Sequence, residues 1–341
     1  PLAQQFGTPL WIYDADTIAR QIAALRLFDV VRFAQKANSN THILRLMKQQ
    51  GAVVDSVSLG EIERALAGGF TPGLHNGHAD IVFTADLLDR ATLARVVELN
   101  IPVNCGSMDM LDQLGAVNPG HPVWLRINPG FGHGHSKKTN TGGEHSKHGI
   151  WHGDLVRACE KIKSNGLALQ GLHMHIGSGV DYAHLQEVCG AMLKLVEVVN
   201  AQGLDLHAIS AGGGLSVPYQ AGEPTIDTAH YFSLWDAVRH AVEQLLEHPV
   251  KLEIEPGRYL MAESGVLVTE VRATKQQGAN HFVMVDAGFS DLARPALYGA
   301  YHGMELIHSD GTAVNGLQID TVVAGPLCES GDVFTQGDGG V

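Results

Sequence analysis

The feature that most constrains the fold is a repeated alternation of short apolar segments with segments of helical periodicity, between about residues 30 and 262. Eight apolar segments are predicted as strands, and a helix-like segment follows each of the first seven. The strands are Val30–Ala34, Val53–Val57, Asp80–Thr84, Pro102–Cys105, Val123–Asn128, Gln170–His175, Ala208–Ala211 and Val250–Glu255. Eight such units predict an α/β chain with a closed, TIM-like (β/α)8 barrel. A doubly wound open sheet is the alternative.

Two of the intervening helices carry clear signals. Ser58 and Glu61 form an S-x-x-E capping box, and Gly68-Gly69 closes the helix that follows. After Asp181, apolar residues recur at three- and four-residue steps and predict one buried helix face: Leu185, Val188, Met192, Leu195 and Val199. These signals support the helical half of the repeat.

After residue 263 the pattern changes to strands without a convincing long helix. The predicted strands are Val266–Val271, Phe282–Asp286 and Thr321–Ala324. The opening segment Pro9–Tyr13 is also strand-like and is expected to pair with this region. We therefore predict two domains, a barrel over residues 14–263 and a β-rich, sandwich- or barrel-like domain formed by residues 1–13 with 264–341, incomplete at its C-terminus.

Composition excludes several functional classes. The 341 residues carry a formal net charge of −13, which argues against nucleic acid or an anionic membrane surface because both attract basic proteins. No apolar run approaches the roughly 20 residues that span a bilayer. The four cysteines, Cys105, Cys159, Cys189 and Cys328, are far apart and fit no disulfide framework. We expect a soluble, cytoplasmic protein.

Polar residues fall where the predicted strands end, and a (β/α)8 barrel carries its active site at the carboxyl ends of its strands. Lys36 follows the first strand and can attack a carbonyl once partial burial lowers its pKa, although a solvated loop lysine is the simpler alternative. Asp55 ends the second strand and Arg126 lies in the fifth. His175 ends the sixth, where its ring can stack on a flat ligand or remain a core histidine, and Ser178 nearby can hold a phosphate.

The seventh and eighth strands end in motifs suited to an anionic ligand. Gly212-Gly213-Gly214 lets backbone N–H groups approach an anion, although a flexible turn has the same composition. In Glu255-Pro256-Gly257-Arg258 the arginine can bind a phosphate and the glutamate a protonated ring nitrogen, or the two can form a structural ion pair. In the β-rich part, Cys328 lies beside Glu329 in a polar loop, which suits an acid–base role, whereas a lone cysteine is more often buried and structural.

Together these residues provide a lysine for a carbonyl, an acid for a ring nitrogen, a ring for stacking and a phosphate cradle. That inventory fits pyridoxal 5′-phosphate (PLP). His173 shares a strand face with His175, but no carboxylate or cysteine at ligand spacing accompanies the pair, so we expect no metal ion.

Seven stretches of the sequence resemble the fold-type III PLP-dependent decarboxylases, a family that acts on diaminopimelate, ornithine or arginine. They follow the family's order over nearly the whole chain. They are Arg32–Asn38, Asp55–Glu61, His173–Ser178, Ala211–Leu215, Glu255–Tyr259, Arg294–Tyr298 and Cys328–Asp332. The last two favour diaminopimelate over ornithine, so the resemblance implies decarboxylation of meso-2,6-diaminopimelate to L-lysine and CO2 in lysine biosynthesis.

The resemblance also implies how the cofactor is bound. Lys36 is expected to bind the PLP aldehyde covalently, His175 to stack on the pyridine ring and Glu255 to bond the ring nitrogen. The phosphate is expected to be held by Ser178, Gly212, Gly213, Gly214, Gly257 and Arg258. Asp55 belongs to the same cofactor-binding set.

Substrate contacts and a partner follow from the resemblance in the same way. Arg258, Arg294 and Tyr298 are expected to contact the substrate. Cys328 is expected to donate a proton and Glu329 to make a second substrate contact. In this family both reach the active site of the partner subunit, which implies a homodimer with shared sites.

Two further expectations concern completeness and alternatives. The chain begins at Pro1 without Met and stops at Val341, so we expect a trimmed or partial chain. Family members continue into a Gly-Ala-Tyr segment whose tyrosine contacts cofactor and substrate, and without it weak PLP retention and little activity are expected. The alternatives are a decarboxylase of ornithine, arginine or carboxynorspermidine, and a catalytically silent PLP-binding relative.

Overall fold

The computed structural model describes residues 1–75, 77–132, 141–175, 177, 182–316 and 319–335, with the backbone alone for residues 182–184. The chain divides into two compact units. A β-rich unit comprises Pro1–Asp14, Pro218–Thr225 and Gly265–Val341, and a barrel unit comprises Ala15–Val217 and Ile226–Ser264. None of the described helices is long and apolar enough to cross a membrane.

The strands are, in chain order, β1 (Leu10–Tyr13), β2 (Val30–Ala34), β3 (Val53–Ser56), β4 (Leu74–His75), β5 (His78–Ala79), β6 (Ile81–Ala85), β7 (Val103–Cys105), β8 (Pro122–Asn128), β9 (Ile150–Trp151), β10 (Ala168–His173), β11 (Ala208–Ser210), β12 (Lys251–Ile254), β13 (Gly265–Val268), β14 (Val271–Gln277), β15 (Asn280–Val285) and β16 (Thr321–Ala324). The helices are α1 (Leu2–Phe6), α2 (Ala15–Ala23), α3 (Thr41–Gln49), α4 (Leu59–Ala67), α5 (Arg90–Glu98), α6 (Met108–Val117), α7 (Leu155–Ser164), α8 (Tyr182–Ala201), α9 (Thr228–Leu246), α10 (Arg258–Met261) and α11 (Arg294–Tyr298).

Eight parallel strands close into a barrel within the described part of the barrel unit. Their order is β2, β3, β6, β7, β8, β10, β11 and β12, and β12 returns to β2 through the pair Ile254–Val31. All eight predicted strands overlap observed ones, with ends that differ by no more than two residues, and a helix follows each strand. The predicted (β/α)8 barrel is confirmed, and the alternative of an open sheet is wrong.

The helices begin where the sequence offers a side-chain cap. A side-chain oxygen accepts a backbone N–H of the first turn at Asn40, Ser58, Asp89, Ser107 and Asp227. The capping box of α4 forms in an altered way, because Glu61 Oε2 accepts the N–H of Val57 at 2.8 Å rather than that of Ser58. The predicted apolar face of α8 is buried at all five positions.

The β-rich unit contains two small sheets in its described residues. β1 pairs antiparallel with β13, as predicted for the opening segment. β15 pairs antiparallel with β14 and parallel with β16. The single strand predicted over Val266–Val271 is two strands, because Thr269 Oγ1 and the Glu270 N–H both donate to the Asp286 carboxylate, at 2.5 and 2.8 Å, and break the run.

A buried ion pair joins two neighbouring barrel strands, β2 and β12. Arg32 Nη2 donates to Glu253 Oε2 at 2.8 Å, and the two side chains are 1% and 3% exposed. Arg32 Nη1 also donates to the carbonyl oxygens of Val54 at 3.3 Å and Ala79 at 2.9 Å. The buried guanidinium therefore links β2 to three other segments, β12, β3 and β5.

The variant Arg32→Leu is expected to lower the free energy of unfolding by about 3–5 kcal/mol, because it leaves the Glu253 charge buried without a partner. Urea denaturation followed by circular dichroism measures this. The double variant Arg32→Leu, Glu253→Leu should recover much of the loss. Arg95→Leu, which removes the more solvent-accessible pairs of Arg95 with Glu63 and Glu98, should cost far less. Equal losses for the two single variants would contradict this account.

Candidate active site

Lys36 lies at the carboxyl end of β2, in a single helical turn over Gln35–Ala37, and its side chain is exposed. The turn is anchored by the buried Gln35, whose Nε2 donates to Ser56 Oγ at 2.6 Å and to the Glu61 carbonyl at 3.1 Å. The end of β12 approaches closely, since a Cβ added at Gly257 would meet Ala34 Cβ at 3.3 Å. A small residue is therefore required beside the lysine turn.

Asp55 lies at the carboxyl end of β3 and is 4% exposed. Its Oδ1 has no hydrogen-bond partner among the described residues. Burial raises the pKa of Asp55 to about 8, and the negative charge of Glu255 acts in the same direction. A hydrogen bond from Thr84 and the charge of Lys36 oppose this rise without cancelling it. The neutral form of Asp55 is therefore favoured relative to that of an exposed aspartate.

Glu255 directly follows β12 and has the opposite ionisation. Burial alone would raise its pKa, but the charge and hydrogen bond of His173, with a smaller contribution from Arg32, lower it to about 2. His173 Nε2 donates to Glu255 Oε2 at 2.7 Å, and Ser210 Oγ donates to Oε1 at 3.0 Å. Both carboxylate oxygens are thus held by protein donors, and the group stays anionic at any physiological pH.

His175 follows β10 and is half-buried. Its Nδ1 accepts the Gly213 N–H at 3.2 Å, which places the ring proton on Nε2. Burial, followed by the charges of Arg126 and Lys36, lowers the pKa of His175 well below its usual value. The imidazole is a neutral, oriented ring at the mouth of the barrel.

The glycine turn Gly212–Gly214 packs against two neighbouring strand ends. A Cβ at Gly212 would collide with the Met174 carbonyl, and one at Gly214 with the Gly177 carbonyl. The Gly212 N–H donates to Ser210 Oγ at 3.1 Å. Two amides of the turn therefore already orient Ser210 and His175, and the Gly214 N–H makes no hydrogen bond within the described residues. Ser178, predicted to hold the phosphate, lies outside the described residues.

Arg258 begins α10 in the barrel unit, directly after Gly257. The other predicted substrate-binding residues belong to the β-rich unit. Arg294 begins α11, where its Nη1 donates to His302 Nε2 at 3.0 Å and its Cζ lies 4.6 Å above the Tyr219 ring. Tyr298 ends the same helix and is exposed. Arg294 is thus held in place by two neighbouring rings.

Cys328 and Glu329 lie in an exposed loop after β16. The loop is built around the buried Asp332, whose carboxylate accepts the N–H of Leu327 at 2.8 Å and of Phe289 at 2.6 Å. The Asp332 N–H in turn donates to the Glu329 carbonyl at 3.0 Å. A buried acceptor therefore fixes the loop, while the thiol stays open to solvent.

Sequence reasoning missed His173 and Ser210 as partners of Glu255. His173 was noticed only as a strand-face neighbour of His175, and Ser210 was not noticed at all. Both point to the same face of the barrel as Glu255, and their contacts cross from β10 and β11 to the end of β12. The one available signal is that all three residues stand within two residues of a predicted strand end.

The residues present fit PLP. The unpaired Asp55 Oδ1 is a buried polar atom that requires a partner from outside the described residues. Glu255 supplies an anionic acceptor of the kind that keeps a pyridine nitrogen protonated. Lys36 supplies a primary amine at the same end of the barrel, and its charge acts on both Asp55 and His175.

Comparison with known proteins agrees with this chemistry. The family model "Pyridoxal-dependent decarboxylase, pyridoxal binding domain" matches residues 15–262. The chain is 66% identical over 340 residues to the diaminopimelate decarboxylase of Escherichia coli K12, covering 99% of this chain and 80% of that protein. It is 63% identical over 338 residues to the diaminopimelate decarboxylase of Streptomyces coelicolor, covering 99% and 76%.

Solved structures give the same result. A crystal structure of diaminopimelate decarboxylase matches with a TM-score of 0.93 and 65% identity, covering 99% of this chain and 80% of that one. Diaminopimelate decarboxylase from Helicobacter pylori complexed with L-lysine matches with a TM-score of 0.87 and 30% identity, covering 98% and 83%.

The barrel and its carboxyl-end site define an enzyme that decarboxylates an amino acid with PLP as cofactor. The chain belongs to the pyridoxal-dependent decarboxylases. Within that family, the relatives described above are all diaminopimelate decarboxylases.

The variant Asp55→Asn is expected to flatten the pH dependence of stability in the cofactor-free chain. The pKa of Asp55 is about 8 in the folded chain, and an unfolded aspartate has a pKa of about 3.9, so the folded state binds more protons between these limits. The free energy of unfolding therefore falls as pH rises through this window, and the asparagine removes that fall. Urea denaturation at several pH values within the window measures it.

Asp310→Asn is the matched control, because the pKa of Asp310 is lowered by hydrogen bonds from Thr312 and lies below the window. It should leave the wild-type pH profile unchanged between those limits. Parallel profiles for Asp55→Asn and wild type would show that Asp55 is ionised in the folded chain.

Proposed function

We propose that the chain decarboxylates meso-2,6-diaminopimelate to L-lysine and CO2, the final step of lysine biosynthesis. The observation that carries the chemistry is the buried, anionic Glu255 at the carboxyl end of the barrel, facing the same site as Lys36 and Asp55. The substrate is proposed from relatives at 66% and 63% identity whose names specify diaminopimelate.

The barrel, residues 14–263, is proposed as the PLP-binding domain, and residues 1–13 with 264–341 as the second domain. In this proposal Lys36 binds the cofactor aldehyde, His175 stacks on its ring and Glu255 accepts the ring N–H. The phosphate is bound by Ser178, Gly212, Gly213, Gly214, Gly257 and Arg258, with Asp55 in the same site. Among the glycine amides, that of Gly214 is the most available, because those of Gly212 and Gly213 already have acceptors.

When bound, PLP supplies an electron sink for the pair left on the α-carbon as CO2 departs. Glu255, held anionic by His173 and Ser210, keeps the pyridine nitrogen protonated. A protonated ring accepts the electron pair more readily. The neutral ring of His175 can stack on a pyridinium without adding a second positive charge. The chain's own residues therefore fix the charge of the site before substrate arrives.

The later steps are assigned to the β-rich unit. Cys328 donates the proton that the α-carbon needs after CO2 leaves, since a thiol is an effective general acid at neutral pH. Arg294, Tyr298 and Arg258 contact the substrate, the arginines through its carboxylates. Glu329 binds a substrate ammonium group. The far end of diaminopimelate is itself an amino acid, so paired arginine and glutamate side chains match its two charges.

We propose a homodimer with shared sites because the Cys328 thiol and several large apolar side chains are exposed in the single chain. The Cys328 thiol is open to solvent in the single chain, whereas a closed site limits loss of protons and side reactions with water. Large apolar side chains nearby in the sequence are also exposed: Leu297, Tyr301, Met304, Leu306, Ile307, Ile319 and Leu327. Apolar exposure of this kind is typical of a surface that a partner covers.

Lys36→Ala is expected to abolish both the visible absorbance of lysine-linked cofactor and the release of lysine from meso-diaminopimelate, because no other amine takes its place. Absorbance spectra and a lysine assay measure the two. Lys163→Ala, which removes an exposed lysine from the barrel surface, should change neither. Retained absorbance in Lys36→Ala would overturn the assignment, and faster turnover of ornithine or arginine by the wild type would overturn the substrate.

Cys328→Ala is expected to lower turnover by roughly 10²–10⁴ through loss of the general acid, while cofactor absorbance is retained. Steady-state kinetics with meso-diaminopimelate measure this. Ser330→Ala, in the same exposed loop, should leave turnover near that of the wild type. Near-normal turnover in Cys328→Ala would remove the cysteine from the mechanism.

Mixing the Lys36→Ala and Cys328→Ala variants tests the shared site. If each site takes its lysine from one subunit and its cysteine from the other, mixed dimers contain one intact site and regain activity. No recovery after subunit exchange would show that each chain completes its own site.

A further inference from the structure

We propose that Asp205, His207 and His248 form a binding site for a borderline divalent ion such as Zn²⁺ at the amino-terminal end of the barrel. Asp205 and His207 lie just before β11, and His248 lies just before β12. The catalytic residues are at the opposite, carboxyl ends of the strands. The site is therefore separate from the decarboxylation chemistry.

The three side chains already converge. Asp205 Oδ1 lies 2.7 Å from His248 Nε2, and the rings of His207 and His248 have centroids 5.7 Å apart. One ligand atom from each residue can be chosen so that all three lie within 4.8 Å of one another. Two imidazoles and one carboxylate form a common ligand set for catalytic zinc and for other borderline metals, and hard ions such as Mg²⁺ favour all-oxygen sites.

The backbone that carries the ligands is held by the sheet. The His207 N–H donates to the Gln170 carbonyl at 2.9 Å, and the His207 carbonyl accepts the N–H of Lys251 at 2.9 Å. Ala208 and Lys251 are partners in the parallel pairing of β11 with β12. The two ligand-bearing segments are therefore fixed next to each other by the barrel itself.

The orientation of His248 suits a ligand. Its Nδ1 donates to the Pro249 carbonyl at 2.9 Å and its Nε2 donates to Asp205 Oδ1 at 2.7 Å, so a metal ion would displace the Nε2 proton and bind between that nitrogen and Asp205. Metal-bound histidines usually donate their second N–H to a carbonyl or carboxylate in this way. Glu243, whose Oε1 accepts the Val250 N–H at 3.0 Å, adds negative charge near His248.

Binding requires only a small rearrangement. Zn–N and Zn–O bonds of about 2.0–2.2 Å place tetrahedral ligand atoms roughly 3.3 Å apart. The Asp205–His248 contact must open slightly and His207 must rotate inward. Asp205 and His207 are exposed and His248 is half-exposed. A water molecule completes the fourth position.

The chain offers a matched control in the pair His240–Asp236 on α9. His240 Nδ1 lies 3.6 Å from Asp236 Oδ2, which also joins a histidine to an aspartate at the surface. Within the described residues, no second histidine or cysteine completes this pair into a group of three. If Asp205 and His248 form only a surface ion pair, Zn²⁺ should bind there no more tightly than at His240–Asp236. If Asp205, His207 and His248 form a metal site, Zn²⁺ should bind there more tightly.

The test is isothermal titration of the full chain, loaded with PLP and stripped of metal, with ZnCl2. Wild type is expected to bind one equivalent, and the ion should appear between the three residues in an anomalous difference map at the zinc edge. His207→Gln, His248→Gln and Asp205→Asn should each weaken this binding by more than about 100-fold, beyond the 10–100-fold cost of losing an outer-sphere partner. His240→Gln should leave it unchanged.

Saturating Zn²⁺ should also raise the Tm of wild type and of His240→Gln, because the ion binds the folded chain, and not that of His248→Gln. Turnover of the three ligand variants should remain that of the wild type, which separates this site from the proposed activity. The proposal is overturned if the ligand variants bind zinc like the wild type, if binding is lost in Cys328→Ala instead, or if wild type and His248→Gln show the same thermal shift.

Discussion

The structure depends on keeping one carboxylate ionised inside a barrel. Glu255 is surrounded by protein, and burial alone would neutralise it. It remains anionic because His173 and Ser210 donate to its two oxygens from the adjacent strands β10 and β11. These donors reach it only if the register of three neighbouring strands is correct. The strand register that closes the barrel is therefore the same register that keeps Glu255 ionised.

Much of this arrangement was predictable from the sequence because its causes are local. Short apolar runs separated by helical spacing determined the number of strands, and side-chain caps such as Ser58 determined where helices begin. The position of Lys36 and Glu255 at strand ends followed from the same pattern. The donors to Glu255 were not predictable, because His173 precedes it by 82 residues and nothing local marks the contact.

The Gly212–Gly214 turn has a physical cause that its sequence spacing does not indicate. Three glycines predicted a close approach of backbone to an anion. In the folded chain, a side chain at Gly212, Gly213 or Gly214 would collide with a carbonyl of a neighbouring strand end. The N–H of Gly213 also fixes the tautomer of His175. The turn is thus needed to assemble the site, in addition to its proposed contact with the cofactor phosphate, and spacing alone cannot separate these two requirements.

Asp55 and Glu255 illustrate why ionisation cannot be deduced from residue type. Each is a buried carboxyl at a strand end, yet the pKa of one is raised and that of the other lowered. Two anions close together repel, so the proton settles on the carboxyl with fewer donors. Glu255 has two donors from protein side chains, whereas Asp55 Oδ1 has no partner among the described residues. A cation bound beside Asp55 would act in the same direction as Lys36 and lower the pKa of this carboxyl, so binding of a positively charged group there favours loss of its proton.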